Sequence, residues 1–91
     1  MTLGQKLRFF RMAERYSQKE IADMLSIERS TYTYYETGKT LPTLQMVWTL
    51  SKLYGVTMEF LVDDRLMPIG GKEFLMLEAE KRERAKHNEN R

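Results

Sequence analysis

Residues 18–38, QKEIADMLSIERSTYTYYETG, decide how this chain folds. Ser17 stands just before them, and Ser17-Gln18-Lys19-Glu20 is a capping box. The serine hydroxyl can accept the Glu20 amide while the Glu20 carboxylate reaches back to the serine N–H. Ile21, Ala22 and Leu25 then fall inward at helical spacing. Ser26-Ile27 is a tight connection. A second helix follows over about Glu28–Glu36 and stops at Gly38, a residue that takes a left-handed φ at no steric cost. The small side chain of Ala22 lets the second helix cross the first closely. Paired helices of this kind meet at roughly 90–120° and leave one side of the second helix uncovered.

The flanking sequence supplies three more helices. Thr2-Leu3-Gly4-Gln5 is another capping box, and Leu3, Leu7 and Phe10 share one face of a helix running to about Arg15. Thr43, just after Pro42, caps a fourth helix whose inner face carries Leu44, Val47, Leu50, Ser51 and Tyr54. Gly55 ends it. Thr57 caps a short last helix with Met58 and Leu61 inward. No useful stretch alternates with a period of two. The fold class is therefore all-α: a five-helix domain over 1–62, followed by an appendage over 63–91.

Composition narrows the function. A chain of 91 residues fits one domain, and its 42% apolar share supports one small core. With no cysteine there is neither a disulfide framework nor a thiolate metal site. One histidine, His87, excludes a multi-histidine metal centre, and no cofactor is implied. MTLGQKLRFF is broken by Gly4-Gln5-Lys6, unlike a signal peptide, and no apolar run approaches the roughly 20 residues of a membrane span. The cytoplasm is the expected compartment. A net charge of +2 is too small for a polybasic arm that binds by bulk charge. Residues 1–62 hold eight basic and six acidic side chains, whereas 63–91 hold seven of each. No catalytic constellation is present, so an enzyme is not expected. Gly70-Gly71 follows no strand, and Asp63-Asp64 are adjacent rather than spaced as ligands on a helix.

In order, Leu7, Arg11, Ser17-Gln18, Ile21-Ala22, Leu25, Ile27, Tyr32, Glu36-x-Gly38-Lys39, Pro42, Val47, Leu50, Gly55-Val56 and Leu61 form a pattern. That pattern resembles the phage-repressor helix-turn-helix family, often called the XRE family. The resemblance covers about 55 residues. It implies a five-helix DNA-binding domain that acts as a dimer and regulates transcription, and it implies an ion pair between Arg11 and Glu36. Four positions depart from the family habit: Tyr16 for Leu, Ser26 for Gly, Glu28 for Ser or Thr, and Ser51 for Ala. A serine at 26 adopts a left-handed φ poorly, so either a locally different turn or some strain is expected there.

Within that frame, the 28–36 helix divides by face. Tyr32 and Tyr35, three apart, lie with Ile27 toward the core, which leaves Tyr34 alone of the three tyrosines outside. The outer face carries Glu28, Arg29, Ser30, Thr33 and Tyr34 as candidate base contacts in a major groove about 12 Å wide. Arg29 leads, since a guanidinium can bond O6 and N7 of one guanine together. Gln18 and Lys19 at one helix start, and Thr37, Lys39 and Thr40 in the loop, are candidate phosphate contacts.

Apolar side chains exceed what the inner faces need. Trp48 and Phe60 lie off the main stripe, with Met46 and Leu53, and the appendage adds Phe74, Leu75 and Leu77. These are read as a dimer or partner surface. Residues 72–86 favour a helix, and the end from His87 favours disorder. The leading expectation is a dimeric repressor reading a palindromic operator. The competing one is an antitoxin-type interaction protein that binds a partner through 63–91 and autoregulates its operon.

Overall fold

In the computed structural model, residues 1–68 are described, and they form five helices with no strand among them. These are α1 (Leu3–Ala13), α2 (Gln18–Met24), α3 (Arg29–Thr37), α4 (Leu44–Tyr54) and α5 (Met58–Val62). The predicted appendage helix over 72–86, the disordered end, and Phe74, Leu75 and Leu77 lie outside the described residues.

Four helices start where a hydroxyl stands ready. Thr2 Oγ1 accepts from the Gln5 amide at 3.2 Å, and Gln5 Oε1 accepts from the Thr2 amide at 2.9 Å. Ser17 and Glu20 repeat this at 3.0 and 2.9 Å. Thr43 and Thr57 cap α4 and α5 through the amides of Met46 and Phe60. Only α3 begins without one, since Glu28 makes no side-chain capping bond. Three helix ends, those of α1, α2 and α4, follow a shared rule as well. The Tyr16, Ile27 and Val56 amides each return to a carbonyl five residues back, at Arg11, Ala22 and Ser51. Each return spans a left-handed residue: Arg15 at φ 61°, Ser26 at φ 57° and Gly55 at φ 66°. Two of these three closures thus carry a Cβ in a region that disfavours it.

Phe10 is fully buried at the centre, its ring 5.6 Å from that of Tyr54 and 5.9 Å from that of Phe60. Leu7, Ile21, Leu50 and Leu61 close around it. Phe60 corrects the sequence reading. It is only 4% exposed, because α5 turns this ring onto α1, and it is core rather than partner surface. Leu44 errs the other way at 77% exposed, since the first turn of α4 overhangs the core that Val47 and Leu50 fill. Helix α1 ends at Ala13, ahead of the expected Arg15, because Arg15 takes the left-handed turn.

Lys6 is an unforeseen core member. Its side chain is fully buried, and Nζ donates to the Phe60 carbonyl at 2.7 Å and to the Asp63 carbonyl at 2.5 Å. The ammonium also lies 5.1 Å from the centre of the Phe60 ring. Burial pulls this amine below the ordinary lysine value, against the opposing pull of Asp64 and Asp63. A residue of α1 thereby satisfies carbonyls at the end of α5.

Candidate nucleic-acid interface

The α2–α3 pair forms around Ala22, which is 1% exposed, and Ile21, which is fully buried. A larger side chain at Ala22 would have to displace the neighbours that bury it. On α3, Tyr32 and Tyr35 are buried, and Arg29, Ser30 and Tyr34 are exposed. Glu28 is exposed at the helix start and Thr33 is half-buried. The split by face is therefore that of the sequence reading, with Thr33 on the boundary.

Polar bonds fix the angle of α3. Arg11 Nε donates to Glu36 Oε2 at 2.7 Å and Arg11 Nη2 to Glu36 Oε1 at 3.2 Å, a two-pronged contact. Arg11 Nη1 donates to the Tyr16 carbonyl at 2.9 Å, so the same guanidinium holds the chain entering α2. Gln18 Nε2 reaches Glu36 Oε1 at 3.2 Å. The Thr33 hydroxyl lies 2.9 Å from Gln18 Oε1 and 3.0 Å from the Arg29 carbonyl. Burial pushes the Glu36 carboxyl up, but hydrogen bonds from Arg11, Tyr32 and Gln18 together outweigh it and hold the group below the usual carboxylate range. The bond to Glu36 raises Arg11 in turn. Burial also pushes Tyr54 up to about 12, and its hydroxyl lies 3.0 Å from that of Tyr32. Tyr32, raised by burial and by its bond to Tyr54, stays neutral. The network thus ties α1, α2, α3 and α4 to one carboxylate.

Gly4 supplies the remaining constraint. A Cβ built there would stand 2.7 Å from the Tyr35 carbonyl oxygen and closer still to that of Glu36. Helix α1 can cross under the last turn of α3 only because this position has no side chain.

The other predicted contacts lie at the start of α2, at and after the end of α3, and on α4. Gln18 is half-buried, with its amide committed to Glu36 and Thr33, so its backbone N–H at the helix start is the freer donor. Lys19 is exposed and lies 3.6 Å from Asp23, a surface pair of small worth. Thr37, the last residue of α3, and Lys39 and Thr40, in the turn that follows it, are exposed, and Gly38 between them has φ 81°. Trp48 is 53% exposed on the outer side of α4, with the Lys52 ammonium 5.5 Å from its ring centre. Leu41 and Leu44 extend that apolar surface. Sequence reasoning missed Gly4, Lys6 and the Thr33–Gln18 bond. The spacing of Lys6 to Phe10, one helical turn, was the available signal for the lysine.

No helix among the described residues is long and apolar enough to cross a membrane. Comparison with known proteins converges on one group. The chain is 41% identical over 59 residues to the SPbeta prophage-derived HTH-type transcriptional regulator YonR of Bacillus subtilis, covering 65% of this chain and 55% of the relative. It is 37% identical over 61 residues to the cryptic phage CTXphi transcriptional repressor RstR of Vibrio cholerae, covering 67% and 55%. It is 31% identical over 64 residues to the HTH-type transcriptional regulator MJ0272 of Methanocaldococcus jannaschii, covering 68% and 97%. The chain thus spans little more than half the length of the first two. The helix-turn-helix family pattern matches residues 7–61, from the middle of α1 into α5. On that match, the chain belongs to the helix-turn-helix family of the phage-repressor, or XRE, type.

Proposed function

We propose that this protein is a sequence-specific, double-stranded-DNA-binding transcriptional regulator: a dimeric repressor that reads a palindromic operator with α3 in the major groove. The observation that carries this is the uncovered face of α3. Arg29, Ser30 and Tyr34 are exposed together on a helix whose opposite side is locked by Tyr32, Tyr35 and the Arg11–Glu36 pair. A helix held at a fixed angle with a bare polar face suits base readout.

Arg29 is assigned the guanine contact, Ser30 and Thr33 hydrogen bonds to bases, and Tyr34 the outer edge of the reading surface. Glu28 is assigned acceptance from a cytosine amino group. The Gln18 amide, Lys19, Thr37, Lys39 and Thr40 are assigned phosphates, which set register without carrying sequence information. The Leu41–Leu44–Trp48 surface is assigned to self-association, with Phe60 removed from it. The Vibrio cholerae relative is a transcriptional repressor, which supports repression here.

Selection of binding sites from random duplex DNA tests the reading. The expected product is a two-fold site with half-site centres about 34 Å apart. Arg29→Ala should relax base preference at one position of each half-site, losing roughly 1–3 kcal/mol of discrimination there. Recovery of no enriched sequence would overturn it.

A further inference from the structure

The turn that ends α3 is tied to Tyr34 three times. The Tyr34 carbonyl accepts from the Thr40 amide at 3.3 Å and from the Thr37 hydroxyl at 3.3 Å. The Tyr34 ring carries the Lys39 ammonium 4.3 Å from its centre. The Thr37 hydroxyl oxygen also accepts from the Lys39 amide at 3.4 Å. The first two ties use main-chain atoms of residue 34, so they survive a change of its side chain. The third depends wholly on the ring.

Both side chains are exposed, and among the described residues Lys39 makes no ion pair. A lysine on a flexible stem loses rotamer freedom when an anion fixes it. A phenol face attracts an ammonium through its quadrupole and restricts the stem beforehand. One side of the ammonium then meets the ring, and N–H donors on the other side stay open to an oxyanion.

We propose that Tyr34 is the positioning residue for Lys39, its ring holding the ammonium ready for a phosphodiester oxygen of DNA. This rests on the reading of α3 as the groove-binding helix. It makes the reading face and the phosphate-binding turn one unit, because a residue of the former aims the cation of the latter. The ring face under Lys39 is closed to bases, so Tyr34 meets DNA by its edge or hydroxyl. The hydroxyl plays no part in holding Lys39.

The test is a double-mutant cycle with the full chain on a duplex recovered by selection. Dissociation constants are measured across a salt series for the parent, Tyr34→Phe, Tyr34→Leu, Lys39→Ala, and Tyr34→Leu combined with Lys39→Ala. Proton shifts of the Lys39 side chain are recorded without DNA. Ring-current shifts of the Lys39 ε-protons should appear in the parent and in Tyr34→Phe and vanish in Tyr34→Leu. Tyr34→Leu should cost about two- to fivefold more affinity when Lys39 is present than when it is absent. Tyr34→Phe should retain that coupling. Additive effects beside an intact Lys39→Ala loss, or tighter binding by Tyr34→Leu, overturn the proposal alone. If Lys39→Ala changes neither affinity nor salt slope, the proposal falls together with the phosphate role on which it rests.

Discussion

Gly4 lies so close beneath Glu36 that a methyl group on it would overlap the Glu36 backbone carbonyl. Two effects oppose each other in Gly4→Ala. Helix propensity favours alanine by up to about 1 kcal/mol, less in the first turn where Gly4 stands. The new Cβ meets main-chain atoms, which cannot rotate aside, and overpacking of this kind costs roughly 1–3 kcal/mol or more. The clash should win, lowering the melting temperature by several degrees. An unchanged or higher melting temperature would refute the close crossing.

Glu36→Gln removes the charge that Arg11 holds while keeping the shape. A loss of about 1–3 kcal/mol is expected at neutral pH, since Arg11 keeps its bond to Tyr16 and glutamine can still accept one. The pH dependence has a definite sign. Glu36 titrates below its unfolded value, so its stabilisation is complete above that value, near pH 4.3. It fades as pH falls through the folded value. Urea midpoints of parent and variant should therefore keep their gap above about pH 4.3 and converge below it. A gap of equal size at pH 7 and pH 3 would contradict the ion pair's role.

Ser26→Gly should stabilise the domain. Its φ of 57° is disfavoured for any residue with a Cβ, and relief of that strain competes with the extra chain entropy of glycine. The expected net gain is up to about 1 kcal/mol, read as a higher thermal midpoint. Arg15→Gly, at φ 61°, should behave alike. A fall in both midpoints would mean that local contacts already compensate the strain.

Leu44→Lys and Trp48→Lys separate surface from core. Both sites are more than half exposed, so stability should stay within about 0.5 kcal/mol. Sedimentation at tens of micromolar should show weaker self-association for both. Wild-type association in the two variants would rule this surface out as the proposed self-association contact.

Local chemistry made much of the fold legible. Thr2 with Gln5, Ser17 with Glu20, Thr43 and Thr57 announce helix starts because their partners lie within three residues. Gly38 and Gly55 announce stops for the same local reason. The split of α3 into Tyr32 and Tyr35 on one side and Arg29, Ser30 and Tyr34 on the other follows from helical spacing alone.

What escaped was decided across the chain. Phe60 sits on a five-residue helix, too short to display a period, and its side is chosen by Phe10 and Lys6, more than 45 positions earlier. Leu44 fits the spacing of Val47 and Leu50, but spacing cannot tell that the core ends before the first turn of α4. Nothing local marks Arg15 as left-handed. Glycine at position 4 reads as a weak helix former until the carbonyls of Tyr35 and Glu36 come over it.

Lys6 joins the sixth residue to carbonyls 54 and 57 positions further on. During synthesis the ammonium emerges long before either carbonyl exists. A fragment ending before Phe60 lacks both acceptors for this charge, so burying the ammonium there would be costly. The domain should therefore fold and unfold as a single all-or-none unit, with the lysine as the latch that makes partial assembly unfavourable.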